Sequence, residues 1–277
     1  MYDSNVNEEV RKVSIWRSIR KFFQFFVDKP IKKGAVLYDR YEVISVIGTG
    51  SYGIVYLCKD LKTNENRVVK QLRPSKRRIK KEIKLFENEI SILRLLNHKS
   101  MPKLYDEFSN NGYFYYVMNY IEGENLEDQI FLNHKTFKET ESLLLLARLL
   151  ELVAYLHKNG MYHQDLRIPN ILLKDKEPFL IDFGLSKQIV SVDPICSSSK
   201  ELEMKQQDYY DLGDILLYLL YTTYSSNNKK VLPWTEELSL KKETVHLLKR
   251  LLRIQEPYSD ISELSADLHA ALISKEK

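Results

Sequence analysis

The hydrophobic pattern changes once along the chain, and this change limits the fold more than any other feature of the sequence. Between residues 41 and 72, and again at about 103–120, short β-branched and aromatic runs are separated by turn residues, a pattern typical of strands. After Gly123 the apolar residues take helical spacing. Strands and helices therefore do not alternate, which excludes a sheet of repeated βαβ units. The pattern predicts an α+β protein.

The individual elements follow from the same pattern. Strands are expected at Tyr41–Ile47, Ile54–Leu57, Arg67–Lys70, Lys103–Phe108 and Tyr113–Tyr120. Helices are expected at about 76–96, 140–158, 208–223 and 241–254. The pair Asn159 and Gly160 ends the second of these helices, because glycine favours the backbone conformation found just after a helix.

The segment 10–27 is predicted to be an amphipathic helix. Its apolar residues recur at helical spacing and comprise Ile15, Trp16, Ile19, Phe22, Phe23 and Phe26. The helix is too short and too charged to span a bilayer, so its apolar stripe must be buried against another surface. We expect it to dock on the rest of the chain. Self-association, or contact of Arg17, Arg20 and Lys21 with an anionic membrane surface, are the alternatives.

Composition and cysteine content favour a folded protein of a reducing compartment. The 277 residues are 44% hydrophobic and 29% charged, which excludes a disordered chain. Only Cys58 and Cys196 are present, which excludes a disulfide scaffold. No apolar run is long enough for a transmembrane helix, and the first residues lack the apolar region of a secretion signal. We therefore expect a cytoplasmic protein with no transmembrane segment.

The net charge of +4 is unevenly distributed. Residues 70–84 carry eight lysines and arginines against the single acidic residue Glu82. The positive charge is thus local, so nucleic acid is not an expected partner. This basic run is either a solvated face or a docking site for an acidic partner.

Three residue groups in the strand-rich part suggest phosphate binding. Gly48, Gly50 and Gly53 lie between two predicted strands, where glycines let the backbone approach phosphate oxygens closely. Lys70 ends a later strand and has the charge to contact a polyphosphate. Glu89, on the predicted helix 76–96, is a candidate ion-pair partner for that lysine.

Two polar groups in the helical part complete the pattern. The run from His163 to Asn170 contains Asp165 and Arg167, and an apolar strand ends in Asp182-Phe-Gly184. Phosphoryl transfer needs an aspartate near the acceptor hydroxyl, oxygen ligands for Mg²⁺ and fixed cations near the phosphates.

The five groups, in this order, resemble the protein kinase superfamily of the eukaryotic-like (Hanks) type over about 41–268. Within it, the chain is similar to the short soluble serine/threonine kinases of Gram-positive bacteria, the YbdM-like group. The resemblance implies a bilobal fold, with a small antiparallel β-rich N-lobe containing one long helix and a mainly helical C-lobe. It also implies a tail at 1–37 and a kinase domain at 38–277, with the N-lobe at 38–120 and the C-lobe at 121–277.

The resemblance assigns roles and cofactors. It implies ATP and Mg²⁺, with Mn²⁺ as a substitute, and a protein substrate. The catalytic residues it implies are Lys70, Glu89, Asp165 and Arg167. The nucleotide-binding residues are Ile47, Gly48, Gly50, Gly53, Val55, Val68, Lys70, Met118, Tyr120 and Asn125. The metal ligands are Asn170 and Asp182, and Asp208 begins the buried helix that anchors the catalytic loop.

The sequence departs from the family pattern at several positions. Gln164 replaces the arginine that receives an activation-loop phosphate, and Arg167 replaces the catalytic-loop lysine. The Ala-Pro-Glu triplet is missing, and Asp260 stands where its partner arginine is usual. We expect an active kinase that phosphorylates protein Ser/Thr hydroxyls without needing activation-segment phosphorylation. A kinase for tyrosine or a small-molecule hydroxyl, and a nucleotide-binding pseudokinase scaffold, are the alternatives.

Overall fold

The computed structural model describes residues 27–50, 52–189, 194–225 and 232–274, with the backbone alone for 194–198. It divides into two compact units, which are described separately. The first comprises residues 1–90 and 103–120, and the second comprises 91–102 and 121–277. Residues 91–102, assigned to the N-lobe from sequence, therefore group with the second unit. Almost all of the predicted helix 10–27 lies outside the described residues.

The first unit is built on an antiparallel sheet of six strands in the order β1-β2-β3-β4-β6-β5. The strands are β1 (Val36–Leu37), β2 (Tyr41–Thr49), β3 (Gly53–Asp60), β4 (Glu65–Leu72), β5 (Leu104–Asn110) and β6 (Tyr113–Asn119). One helix, α1 (Lys80–Leu95), begins in this unit. It starts later than the predicted residue 76, because Pro74–Lys76 forms a short 3₁₀ turn.

The chain ahead of β2 packs on this sheet. The Ile31 side chain contacts the core formed by Tyr41, Val43, Ile54 and Tyr56. The Ile31 amide donates to the Tyr56 hydroxyl at 3.1 Å. These contacts place residues of the predicted tail against the strands of the first unit.

The second unit is mainly helical. Its helices are α2 (Leu126–Phe131), α3 (Glu139–Lys158), α4 (Pro194–Tyr221), α5 (Trp234–Glu237), α6 (Lys242–Leu251) and α7 (Ile261–Ile273). Five short strands form two small sheets: β7 (Glu124–Asn125), β9 (Ile171–Lys174) and β10 (Glu177–Leu180) form one, and β8 (Met161–Tyr162) pairs with β11 (Lys187–Gln188). The antiparallel sheet and the helical second unit confirm the α+β prediction.

The core of the second unit lies around α3, which packs on α4 and α7 and buries one leucine-rich face. Helix α4 also packs on α6, and its Gly213 lies at the closest point. A Cβ atom there would lie 2.8 Å from Leu251 Cβ, so only glycine allows this approach. None of the helices in the described ranges is long and apolar enough to cross a membrane.

Four helical features differ from the sequence expectations. Helix α4 begins at Pro194 instead of residue 208, and α2, the short α5 and α7 were not predicted. Helices α2 and α7 begin at a capping side chain: Asn125 accepts from the Asp128 amide and Asp260 from the Ser262 amide. Asp260 therefore has a local structural role at the position where the family pattern has an arginine.

Candidate active site

In the first unit, Lys70 and Glu89 form a buried ion pair. Lys70 lies in β4 between Val55 of β3 and Tyr116 of β6. Its Nζ atom lies 2.7 Å from Glu89 Oε1 and 3.0 Å from Oε2. The side chains are only 8% and 3% exposed, so the two opposite charges compensate each other away from water. The structure thus brings these two predicted residues together.

The three predicted glycines lie at the turn from β2 to β3. The Gly50 amide donates to the Gly53 carbonyl at 3.0 Å. A Cβ atom on Gly53 would lie 2.9 Å from the Gln71 carbonyl and 3.2 Å from the Lys70 side chain, so this position excludes other residues. A Cβ atom on Gly50 would meet nothing within 4 Å. Only glycine therefore fits beside Lys70 at position 53, whereas a side chain at position 50 would meet no neighbouring atom.

The remaining predicted nucleotide residues occupy both units. In the first, Val68 of β4 is buried opposite Met118 of β6, Val55 is half-buried and Ile47 is exposed. Tyr120, directly after β6, is also exposed. In the second unit, Asn125 uses its side chain to cap α2, with Oδ1 accepting from the Asp128 amide at 2.7 Å. Its assignment to the nucleotide stays a prediction.

In the second unit, the catalytic loop brings Asp165, Arg167 and Asn170 together. The Asn170 amide nitrogen donates to the Asp165 carbonyl at 2.9 Å and to its Oδ2 atom at 3.1 Å. Arg167 Nε lies 3.4 Å from Asp165 Oδ1, and its side chain is 60% exposed. Asp165 is therefore oriented by its own loop and stays partly accessible, as a group that exchanges a proton with a substrate must be.

Asp182 follows β10 and lies next to the catalytic loop. The amide of Ile181, its neighbour, donates to the Asn170 carbonyl at 3.0 Å. Asp182 has a φ of 61°, a left-handed conformation that is uncommon for residues other than glycine. This conformation determines the direction of its carboxylate.

The donor set at this point suits Mg²⁺. Asn170 and Asp182 supply a side-chain carbonyl and a carboxylate, which are hard oxygen ligands. Mg²⁺ usually keeps several waters and shares substrate phosphates, so a carbonyl and a carboxylate from the protein are enough to hold it. The residues present therefore fit the ion.

Asp208 of α4 holds the catalytic loop. This fully buried carboxylate accepts from His157 Nε2 at 2.8 Å, from the His163 amide at 3.1 Å and from the Gln164 amide at 2.8 Å. A buried carboxylate with several hydrogen bonds is compensated without leaving a polar group unpaired. The prediction that this helix anchors the loop is supported by the two contacts from the loop backbone, those of His163 and Gln164.

Gln164 occupies the position where the family pattern has an arginine. Its φ is 63°, and its amide nitrogen donates to the Met204 carbonyl at 2.9 Å and to Asp208 Oδ1 at 3.2 Å. A neutral side chain therefore links the catalytic loop directly to α4. The cation that would receive a phosphate is absent at this position.

Sequence reasoning missed several supporting residues. Asp211, one turn after Asp208, accepts from the Leu166 amide at 3.2 Å, and burial raises the pKa of its carboxyl to about 6. The Ser186 hydroxyl donates to the His163 carbonyl at 3.1 Å. The i, i+3 spacing of Asp208 and Asp211 at the start of an apolar helix was the available signal, because such residues share a helix face. His157 carried no comparable signal.

His163 is neutral and structural. Its ring is fully buried and packs on Phe183, and Nε2 donates to the Ile181 carbonyl at 3.3 Å. Burial lowers the pKa of this imidazole, because the charged form loses its hydration. The ring therefore joins the catalytic loop to the segment that carries Asp182.

A known protein family matches most of this sequence. Residues 41–230 match the protein kinase domain family. The chain belongs to the protein kinase family. This match covers both the glycine-rich turn and the catalytic loop.

Individual relatives agree with this assignment. The chain is 42% identical to the probable serine/threonine-protein kinase YbdM of Bacillus subtilis (strain 168), over 89% of the chain and 95% of that protein. It is 34% identical to serine/threonine-protein kinase D of Synechocystis, over 58% of the chain and 33% of that protein. It is 35% identical to calcium-dependent protein kinase 4 of Plasmodium berghei, over 54% of the chain and 29% of that protein. The predicted resemblance to short bacterial serine/threonine kinases is thereby confirmed.

Proposed function

We propose that this protein is an ATP- and Mg²⁺-dependent kinase that transfers the γ-phosphoryl group to Ser/Thr hydroxyls of protein substrates. The observation that carries the proposal is the assembled catalytic loop. Asp165 is oriented by Asn170, and the loop backbone is held by Asp208. A loop that served only as a surface turn would not need a fully buried carboxylate beneath it.

The first unit supplies groups suited to the nucleotide. The Lys70 ammonium, fixed by Glu89, is a preformed cation for phosphate oxygens. The glycine-rich turn offers backbone amides near Lys70, and Gly53 has no side chain to obstruct them. When bound, Mg²⁺ neutralises negative charge on the phosphates, and Asn170 and Asp182 would hold it.

The second unit supplies groups suited to the acceptor. Asp165 takes the proton from the attacking hydroxyl as the new P–O bond forms and the bond between the γ-phosphorus and its bridging oxygen breaks. Arg167, mostly exposed and beside Asp165, would balance charge on the transferring group. The products are ADP and a phosphoserine or phosphothreonine, with one proton released.

The acceptor class rests on the relatives. YbdM and kinase D are both named serine/threonine-protein kinases, which supports Ser/Thr hydroxyls over tyrosine or a small molecule. Five residues that catalysis uses are all present, which argues against the pseudokinase alternative: Lys70, Glu89, Asp165, Asn170 and Asp182.

We also propose a cytoplasmic location. The sequence has only two cysteines, and Cys58 is a free thiol, which fits a reducing compartment. The docking, dimer and membrane alternatives for residues 10–27 stay open as predictions.

The test is a transfer assay with the purified full chain. The protein is incubated with [γ-³²P]ATP, Mg²⁺ and generic protein acceptors, followed by phosphoamino-acid analysis. We expect labelled phosphoserine and phosphothreonine, and no label when EDTA is added or when Asp165 is replaced by Asn. Labelled phosphotyrosine alone would overturn the acceptor class, and nucleotide binding without transfer would favour the pseudokinase.

A further inference from the structure

Arg73 lies between the glycine-rich turn and a residue far earlier in the chain. Its Nε atom donates to the Gly50 carbonyl at 2.7 Å, and its Nη1 atom lies 3.1 Å from Asp28 Oδ2. One guanidinium thus contacts two segments at once, which its planar set of donors allows. Asp28 lies outside the residues that match the kinase domain family, so this contact adds a residue from beyond the matched domain to the first unit.

Asp28 is held firmly in place. Its carboxylate also accepts from the Ser75 amide at 2.8 Å and from the Ser75 hydroxyl at 2.9 Å. The Asp28 side chain is only 3% exposed. A buried carboxylate with this many donors has few alternative positions, and it determines the orientation of Arg73 in turn.

The turn that contains Arg73 contacts the glycine-rich segment at two further points. The Arg73 amide donates to the Tyr52 carbonyl at 3.1 Å, and Lys76 Nζ lies 4.4 Å from the centre of the Tyr52 ring. Gly50 bonds through its amide to the Gly53 carbonyl within the turn, and its own carbonyl accepts from the Arg73 guanidinium.

We propose that Asp28, Arg73 and Gly50 form a relay that positions the glycine-rich turn for the nucleotide. Arg73 and Asp28 are positioning residues: Arg73 acts on the turn, and Asp28 acts on Arg73. The proposal rests on the function proposed above, because it assumes that this turn contacts ATP. According to this proposal, Asp28, which lies ahead of the residues that match the kinase domain family, affects nucleotide affinity through Arg73.

The first unit offers a matched control. Arg40 and Asp60 form a two-point ion pair, with Nε–Oδ1 and Nη2–Oδ2 distances of 2.9 and 2.7 Å. The side chains of Arg40 and Asp60 are 24% and 0% exposed, against 23% and 3% for Arg73 and Asp28. This pair joins the start of β2 to the end of β3, at the opposite ends of the strands from the glycine-rich turn. Its loss should lower stability without affecting the nucleotide.

The experiment compares Arg73→Met and Asp28→Asn with Arg40→Met and Asp60→Asn in the full chain. We expect the first two variants to raise KM for ATP about three- to tenfold, with KM for the acceptor protein unchanged. The double variant should be no worse than Arg73→Met alone, because both residues act through one contact. The Arg40 and Asp60 variants should melt at lower temperature with both KM values unchanged.

A second measurement does not depend on catalysis. Hydrogen exchange of the nucleotide-free protein should accelerate at residues 48–53 in Arg73→Met and Asp28→Asn, but not in the control variants. If Arg73→Met does not fold, Asp28→Asn decides the question. Unchanged KM for ATP and unchanged exchange would overturn the relay. If exchange accelerates in the two variants but the wild-type protein neither binds ATP nor transfers phosphate from it, the relay stands and the proposed function is refuted.

Discussion

In the first unit the candidate site depends on one buried ion pair, whereas in the second it depends on a carboxylate that accepts several hydrogen bonds. Lys70 and Glu89 compensate each other, and both side chains are nearly inaccessible. Asp208 instead accepts from a histidine ring and from two backbone amides of the catalytic loop. The first arrangement fixes a cation for a ligand, and the second fixes a stretch of backbone.

This difference predicts different responses to mutation. Removal of one member of a buried ion pair leaves a charge without compensation, which costs about 3–5 kcal/mol. Removal of one donor from a multiply bonded carboxylate leaves its other bonds in place, and a typical hydrogen bond contributes about 1 kcal/mol. The first unit should therefore be sensitive to single substitutions at the pair, and the second should tolerate the loss of a single donor to Asp208.

The largest effect is expected at the reacting group. Asp165→Asn should reduce phosphoryl transfer about 10³-fold, because the base acts on the acceptor hydroxyl. ATP affinity should stay within about twofold, since the general base does not bind the nucleotide. The measurement is kcat in a radiolabel assay beside ATP binding by calorimetry.

Asp182→Asn is the comparison for that variant. It removes a carboxylate proposed to hold Mg²⁺, so both turnover and Mg²⁺-dependent ATP affinity should fall. Transfer by Asp165→Asn at near the wild-type rate would show that another group takes the proton.

The next effect concerns the ion pair. Glu89→Gln should lower kcat/KM about ten- to a hundredfold, because the Lys70 ammonium loses the Glu89 carboxylate that orients it. The melting temperature should fall as well, since the buried Lys70 charge loses the compensation that Glu89 provides.

The control for this comparison lies in the second unit. Gln164→Ala removes the link to Met204 but keeps the backbone bonds to Asp208. Its loss of activity should be only a few-fold. If Gln164→Ala lost as much activity as Glu89→Gln, the two units would be equally sensitive to single substitutions.

The sequence predicted five of the six strands of the first unit and the pairing of Lys70 with Glu89, and the structure shows why it could not predict the rest. Lys70 and Asp165 were identifiable because glycine, lysine and aspartate occur at recognisable places beside apolar strands. Helix α7 was missed because its start depends on the Asp260 cap. The contact between Asp28 and Arg73 joins residues 45 positions apart through polar atoms, so no periodicity indicates it. Local sequence patterns indicate helices and strands, whereas polar contacts between residues far apart in the sequence are seen only in the folded structure.

A smaller effect is expected in the activation segment. Replacement of Ser191, Ser197, Ser198 and Ser199 by alanine should change activity toward an exogenous protein by less than about tenfold, or about 1.4 kcal/mol of barrier. The reason is that Gln164 already links the catalytic loop to α4 without a phosphate. Ser191 and the side chains of Ser197 and Ser198 lie outside the described residues. Assays on phosphatase-treated protein supply the control, and a greater loss would show that a phosphate is needed.

The smallest effect is a pH dependence of opposite sign in the two units. Burial raises the pKa of Asp211 from 3.8 to about 6, so the native state binds this proton more tightly than the unfolded chain does. The stability it contributes is complete below about pH 4 and is lost as the pH rises through about 6. Asp60 behaves oppositely, because Arg40 lowers the pKa of its carboxyl. Its contribution is present above about pH 4 and is lost in stronger acid.

Thermal melting between pH 7.5 and 5 separates the two cases. Asp211→Asn is uncharged throughout, so the wild type should gain a few degrees, about 2–4 °C, relative to this variant as the pH falls. The difference between the wild type and Asp60→Asn should stay constant over the same range, because Asp60 remains ionised in both the native and unfolded states. A constant difference for Asp211→Asn would show that this carboxylate is already compensated when charged. In that case the hydrogen bonds from Leu166 and Gln207 would stabilise the carboxylate as fully as Arg40 stabilises Asp60.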